Sequence, residues 1–258
     1  MKKILTILTA ATIVAMFGVA CNDKDENPTD NEVKKLPSKI TNGRPQSSNP
    51  SHWIFSFNYD DQNRLTKIVS DSTSAGTLDI FYNTDNTIKK MEQILRNGRT
   101  TVITFQYNGN QVFAETVSNN PSNPSGIDTL WLNDNGQMIQ LNSYWFFEYN
   151  SNGNVIKYRW AGSIPYEIDA TYTDIPAVWR YANIPAWIFD QNIEWFSFMD
   201  PFTITKGYMI KETNRISPNL KSRYSYTLDK DGYPETATYN YTTNTYDHAF
   251  TIEYILAK

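Results

Sequence analysis

The chain has 258 residues, a net charge of −4 and 14% aromatic side chains, among them 17 tyrosines and 7 tryptophans. A mildly acidic chain offers no electrostatic case for binding nucleic acid, and one cysteine excludes an internal disulfide framework. The length suits one large all-β domain or two small ones, and aromatics at this level favour strands and wide apolar contacts.

The N-terminus is the most specific signal. Lys2 and Lys3 precede an uncharged stretch from Ile4 to Ala20. Residues 1–20 read as a secretory signal peptide, too short and wrongly flanked for a membrane span. Cys21 falls where cleavage is expected. Gly18-Val19-Ala20-Cys21 resembles the lipobox of bacterial lipoproteins, with Gly18 in place of the usual leucine. The resemblance implies that Cys21 is acylated and anchors the mature chain to the outer membrane. The plainer reading is an ordinary signal peptide with a leftover cysteine. Cleavage removes two lysines and no acid, so the mature charge is −6.

Residues 22–38 carry Asp23, Lys24, Asp25, Glu26, Asp30 and Glu32 with Pro28 and Pro37, and have little to bury. They read as a disordered tether. The run Asn22-Asp23-Lys24-Asp25-Glu26 resembles the acidic export signal of Bacteroidetes surface lipoproteins, which implies exposure at the cell surface. An acidic linker without that role has the same composition.

From Lys39 a unit recurs. Phe57-Asn58-Tyr59 leads into Asp60–Arg64 and then Leu65-Thr66-Lys67-Ile68. Ile80-Phe81-Tyr82, Phe105-Gln106-Tyr107, Leu130-Trp131-Leu132, Phe147-Glu148-Tyr149, Tyr224-Ser225-Tyr226 and Ile252-Glu253-Tyr254 repeat it, and Ala170-Thr171-Tyr172 is a degenerate copy. Steps between the aligned residues are 23, 25, 25, 17, 23, 54 and 28. A period in the low twenties is two strands and two turns. The strand before each turn alternates, as in Trp145-x-Phe147-x-Tyr149, so one face is apolar and the other polar. The turns carry the Asn, Asp and Gly that tolerate positive φ. After the turn the apolar residues lie three apart (Leu65 and Ile68, Val155 and Tyr158). A bulge, or burial on both faces, accounts for that spacing.

The expected fold is therefore all-β: a large, strongly curved or barrel-like antiparallel meander of about eight hairpins, over 39–258. The repeats resemble the tyrosine-aspartate units of Rhs-type proteins, and more closely a Bacteroidetes lipoprotein family of unknown function with a porin-like fold. That resemblance covers roughly residues 36–258 and implies a curled sheet without an established activity. A membrane-spanning barrel fits poorly. Its strands need about 9–11 residues with an outward apolar band, whereas Lys67, Lys89, Lys90 and Lys157 interrupt several strands.

The period fails between Asp174 and Gly207, where Trp179, Tyr181, Trp187, Trp195 and several phenylalanines gather around Pro176, Pro185 and Pro201. Steps of three and four predict a short helix within 185–199. These aromatics either plug the hollow of the curved sheet or form a platform for stacking on sugar rings and peptides. On the second reading Trp179, Trp187, Trp195 and Tyr181 are the ligand-binding candidates.

Catalytic chemistry has little to build on. His52 and His248 stand far apart in sequence, no phosphate-binding loop or nucleophile elbow occurs, and neither a cofactor nor a metal is implied. Asp229-Lys230-Asp231-Gly232 fails the calcium-loop spacing, with Thr227 and Thr238 where acids belong. Glu148, Glu167, Asp169, Glu194 and Asp200 are the central carboxylates for a hydrolytic pair. The leading expectation is a surface-anchored, non-enzymatic binding lipoprotein for a glycan or other polymer. A hydrolase with an unrecognised carboxylate pair and a structural partner of an outer-membrane complex are the alternatives.

Overall fold

The computed structural model describes residues 33–43, 53–71, 76–121, 124–163, 165–185, 187–188, 207–215, 220–241 and 244–258. Cys21 and the signal peptide, residues 22–32 of the tether, His52, Glu194, Trp195 and Asp200 lie outside them. So does most of the helix read over 185–199, of which Trp187 and Ile188 form a 3-10 turn.

The described residues form sixteen strands: β1 (Lys35–Gly43), β2 (Trp53–Tyr59), β3 (Leu65–Asp71), β4 (Gly76–Tyr82), β5 (Ile88–Leu95), β6 (Thr100–Asn108), β7 (Gln111–Ser118), β8 (Gly126–Leu132), β9 (Met138–Leu141), β10 (Trp145–Tyr149), β11 (Val155–Trp160), β12 (Tyr166–Pro176), β13 (Tyr208–Arg215), β14 (Leu220–Leu228), β15 (Pro234–Tyr241) and β16 (Asn244–Leu256). Each pairs antiparallel with its neighbours in sequence, and β16 pairs with β1, so the curved meander closes into a barrel. Closure leaves no free sheet edge. The first strand begins at Lys35, inside the stretch read as tether, because Leu36 is buried and pairs with Ile255.

One turn design recurs at one end of the barrel, between β2 and β3, β4 and β5, β8 and β9, β10 and β11, and β14 and β15. The first residue donates its N–H to the fifth carbonyl and accepts the fourth N–H, as Asp60 does with Arg64 and Asn63. The fourth residue has positive φ: Asn63 58°, Asn86 68°, Gly136 73°, Gly153 76° and Gly232 85°. Asn and Gly stand there because other side chains clash in that region. In four copies the first side chain, Asp60, Asn133, Asn150 or Asp229, also accepts the N–H groups of the third and fifth residues. Partial burial opposes ionisation of Asp60, yet hydrogen bonds from Arg64 and the turn amides hold its carboxyl below the usual range.

The three-residue spacing after each turn is a bulge. Tyr59 pairs with Leu65 while Asn58 pairs with Lys67, leaving Thr66 extra, and Tyr82, Leu132, Tyr149 and Leu228 mark the same shift. Leu65 and Ile68 thereby both point inward and are fully buried. At the turn end, tyrosine hydroxyls donate to carbonyls of the preceding strand: Tyr59 to Pro37, Tyr82 to Leu65, Tyr107 to Ile88, Tyr149 to Met138, Tyr172 to Val155, Tyr226 to Ile210 and Tyr254 to Pro234. Each bond clips one hairpin to the one before it. This is the physical reason that the repeat ends its first strand on tyrosine.

The interior holds the apolar face, with Ile40, Phe55, Ile68, Leu78, Met91, Ile103, Leu130 and Phe250 essentially inaccessible. The exterior carries cross-strand charge: Lys67 to Asp79 at 2.7 Å, Lys157 to Glu167 at 2.9 Å, Glu212 to Lys221 at 3.3 Å and to Arg223 at 3.0 Å, and Lys39 to Glu253 at 2.7 Å. Such exposed pairs add little stability each, but they fix which face meets water. Gln93 on β5 breaks the inner pattern. It is fully buried, and neither amide atom has a hydrogen-bond partner among the described residues. Replacing it with methionine, similar in volume and free of polar desolvation, is expected to stabilise the barrel by about 1 kcal/mol. Denaturant titration should show a higher midpoint at an unchanged slope. A lower midpoint would mean that the amide contributes to the fold.

Candidate functional site

Of the four aromatics expected to bind ligand, Trp179 and Trp187 face the core and Trp195 lies outside the described residues. Trp179 is 1% exposed and meets Phe57 edge-on at 5.0 Å, and Trp187 is 5% exposed and tilts against Phe105 at 5.6 Å. Residues 177–185 and 187–188 enter the barrel from the turn end, held there by the Asn183 N–H on the Asn63 carbonyl. Ala177, Val178, Ala182, Ile184 and Ile188 are buried with them, so the described part of the insert fills the mouth as a plug. Tyr181 is half-buried over the plug, its ring 6.4 Å from that of Tyr233. In this arrangement neither Trp179 nor Trp187 offers a broad ring face to a ligand from solvent.

The central carboxylates also sort by face. Glu167 and Asp169 share Lys157 on the outside of the barrel, and Glu148 is exposed on the same face. The hydrogen bond that Lys157 donates to the Glu167 carboxylate holds its ammonium above its ordinary pKa. Asp229 and Asp231 both pair with Lys35, at 2.6 and 2.5 Å, and no metal-binding cluster occurs among the described residues. The backbone of His248 pairs with Tyr239. A cleft of about 530 Å³ opens on the exterior where β11 and β12 part, lined by Asn152, Asn154, Thr173, Asp174 and Tyr208 among others. Asp174 is its one carboxylate among the described residues, so the paired-acid chemistry of a glycosidase has no partner there.

A different aromatic group lines the inner wall near the other end. On β10, β11 and β12 the inward positions are Trp145, paired with Trp160, and Tyr166, paired with Trp160 in turn. Their rings run side by side: Trp145 to Trp160 6.2 Å, Trp160 to Tyr166 5.5 Å, and Trp145 to Tyr158 6.3 Å between centroids. All four are half-buried, unlike the plug tryptophans. Gly162 leaves room for the Trp160 ring, since a Cβ there would come within 2.3 Å of it. From β13, opposite Ile168, Arg215 lays its guanidinium 4.0 Å above the Tyr166 ring. Burial raises the Tyr166 phenol pKa while Arg215 pulls against it.

The insert draws attention in the sequence because its tryptophans cluster there, whereas the wall is assembled by strand pairing. Trp145, Tyr158, Trp160 and Tyr166 stand on three successive strands, none marked out by its composition. The usable signal was the alternation itself: read as paired inward positions, the Trp145-x-Phe147 and Tyr158-x-Trp160 strands place two tryptophans next to each other.

No protein-family model and no curated protein matches the chain. Among solved structures it is similar to a porin-like protein from Bacteroides uniformis, at 13% identity and a TM-score of 0.47, over 85% of this chain and 97% of that one. It is similar also to a porin-like protein from Bacteroides vulgatus, at 9% identity and a TM-score of 0.45, over 86% of this chain and 99% of that one.

Proposed function

We propose that the protein is a lipid-anchored, non-enzymatic barrel that stands in water at the cell surface and binds an extracellular polysaccharide on its inner aromatic wall. One observation carries the reading: half-buried Trp145, Tyr158, Trp160 and Tyr166 form a continuous strip on the inner face of β10–β12, where the described residues supply no acid. Flat rings held rigidly by a sheet stack on sugar faces without ordering cost. Two further features support it. Lys67 on β3, Lys157 on β11 and Lys221 on β14, all on the exterior, would each cost about 2–4 kcal/mol at mid-depth in a bilayer. The apolar interior is the reverse of the polar lumen of a pore. The lipobox-like Cys21 supplies the anchor.

The test uses the secreted chain with Cys21→Ala, screened by retention on a panel of insoluble polysaccharides and then by titration on the best of them. Trp160→Ala is expected to weaken binding by about 2 kcal/mol, roughly thirtyfold, as for a central aromatic anchor. Trp131→Ala, on the outer face of β8, should leave it unchanged. Failure of the native protein to bind any polysaccharide, or equal affinity after Trp160→Ala, would remove this reading.

A further inference from the structure

We infer that the aromatic wall selects an acidic sugar, a uronic acid whose carboxylate is taken by Arg215; this rests on the reading that the wall binds saccharide. Arg215 is permanently charged. Its guanidinium lies over Tyr166 at 4.0 Å, and its Nε is buried without a hydrogen-bond partner among the described residues. The neighbouring acids are engaged on the opposite face: Glu167 and Asp169 with Lys157, Glu212 with Lys221 and Arg223. On the inner face of β10–β14 the described residues thus present one cation and no acid. A half-buried cation left without a counter-charge is costly. The ring row leads directly to it through Trp160 and Tyr166. A sugar ring stacked on Trp160 places its exocyclic substituent toward the guanidinium. A carboxylate there accepts charge-assisted hydrogen bonds from the fork, which a neutral hydroxymethyl group does not match. Tyr166 holds the guanidinium plane in position from one side, leaving its edge for the ligand.

The experiment compares oligogalacturonate with its methyl ester, which keeps the ring faces and ring hydroxyls and loses the charge. Isothermal titration and tryptophan fluorescence read binding to the secreted chain carrying Cys21→Ala. The acid form should bind at least about tenfold more tightly, the worth of one charge-assisted hydrogen bond. The preference should shrink as salt is raised. Arg215→Gln should abolish the preference for the acid form over the ester, and Arg215→Lys should keep part of it. Equal affinity of the native protein for acid and ester, with Trp160→Ala still weakening both, overturns the assignment to Arg215 and leaves the saccharide reading standing. Binding of neither form overturns the assignment to Arg215, while the saccharide reading stands or falls separately on the polysaccharide panel. The ester comparison and the salt dependence use an unaltered barrel, so the test holds even where Arg215→Gln fails to fold.

Discussion

Raising the pH above about 10, where free tyrosines ionise, is expected to unfold the barrel in one steep step, with tyrosinate absorbance and loss of β-sheet circular dichroism rising together. The cause is the row of clipped phenols at the turn end. Burial raises the pKa of Tyr59, Tyr82, Tyr107, Tyr172 and Tyr254 well above the free value. In the alkaline range the folded chain therefore keeps protons that the unfolded chain releases. Their contribution is complete below about pH 10 and is lost as the pH climbs from there toward the folded values. Each phenol contributes a slope of up to about 1.4 kcal/mol per pH unit, so five acting together remove about 7 kcal/mol per unit. A domain stable by about 5–15 kcal/mol does not outlast two such units. Tyr107 is the most informative single site, because its hydroxyl both donates to the Ile88 carbonyl and accepts the Ile88 N–H. Tyr107→Phe strands both backbone groups, and a loss of about 1–3 kcal/mol is expected at neutral pH. Gradual tyrosinate formation from pH 10 with an intact circular dichroism spectrum would show that the clips are solvent-accessible and not structural.

The same clips explain how much of the fold was legible. The aromatic-x-Tyr ending, the Asx turn and the apolar spacing of three are local consequences of one hairpin geometry, so each is written into contiguous residues. Repetition then makes the meander readable: eight units, the last only half, count about fifteen strands, and the strand missed is β1, which precedes the first unit. Closure is less visible, since the pairing of β1 with β16 joins residues such as Ile40 and Ile252 that no local pattern links. The site was less legible still. Trp179 drew attention through the composition of the insert, yet composition does not distinguish a filler from a platform; the neighbours across the barrel, Phe57 and Phe105, decide that. Trp145, Trp160, Tyr166 and Arg215 come together only through lateral pairing across four strands.

The plug makes the second large prediction. A sheet of sixteen strands encloses more space than its own side chains fill, and the described insert supplies the missing volume at the turn end. Trp179→Ala is expected to destabilise the protein by about 3–5 kcal/mol, combining lost burial with the cavity left against Phe57. That is a large fraction of a typical total of about 5–15 kcal/mol. Trp187→Ala removes the contact with Phe105 and should cost a similar amount. Trp160→Ala on the half-buried wall should cost less in stability and more in binding. Urea unfolding followed by circular dichroism separates the two groups. A loss below about 1 kcal/mol for Trp179→Ala, accompanied by loss of polysaccharide binding, would reverse the assignment. The plug would then be the binding surface, and the wall its support. The opposite pattern places stability at the turn end and recognition at the other, with the strands between them carrying no more than the distance.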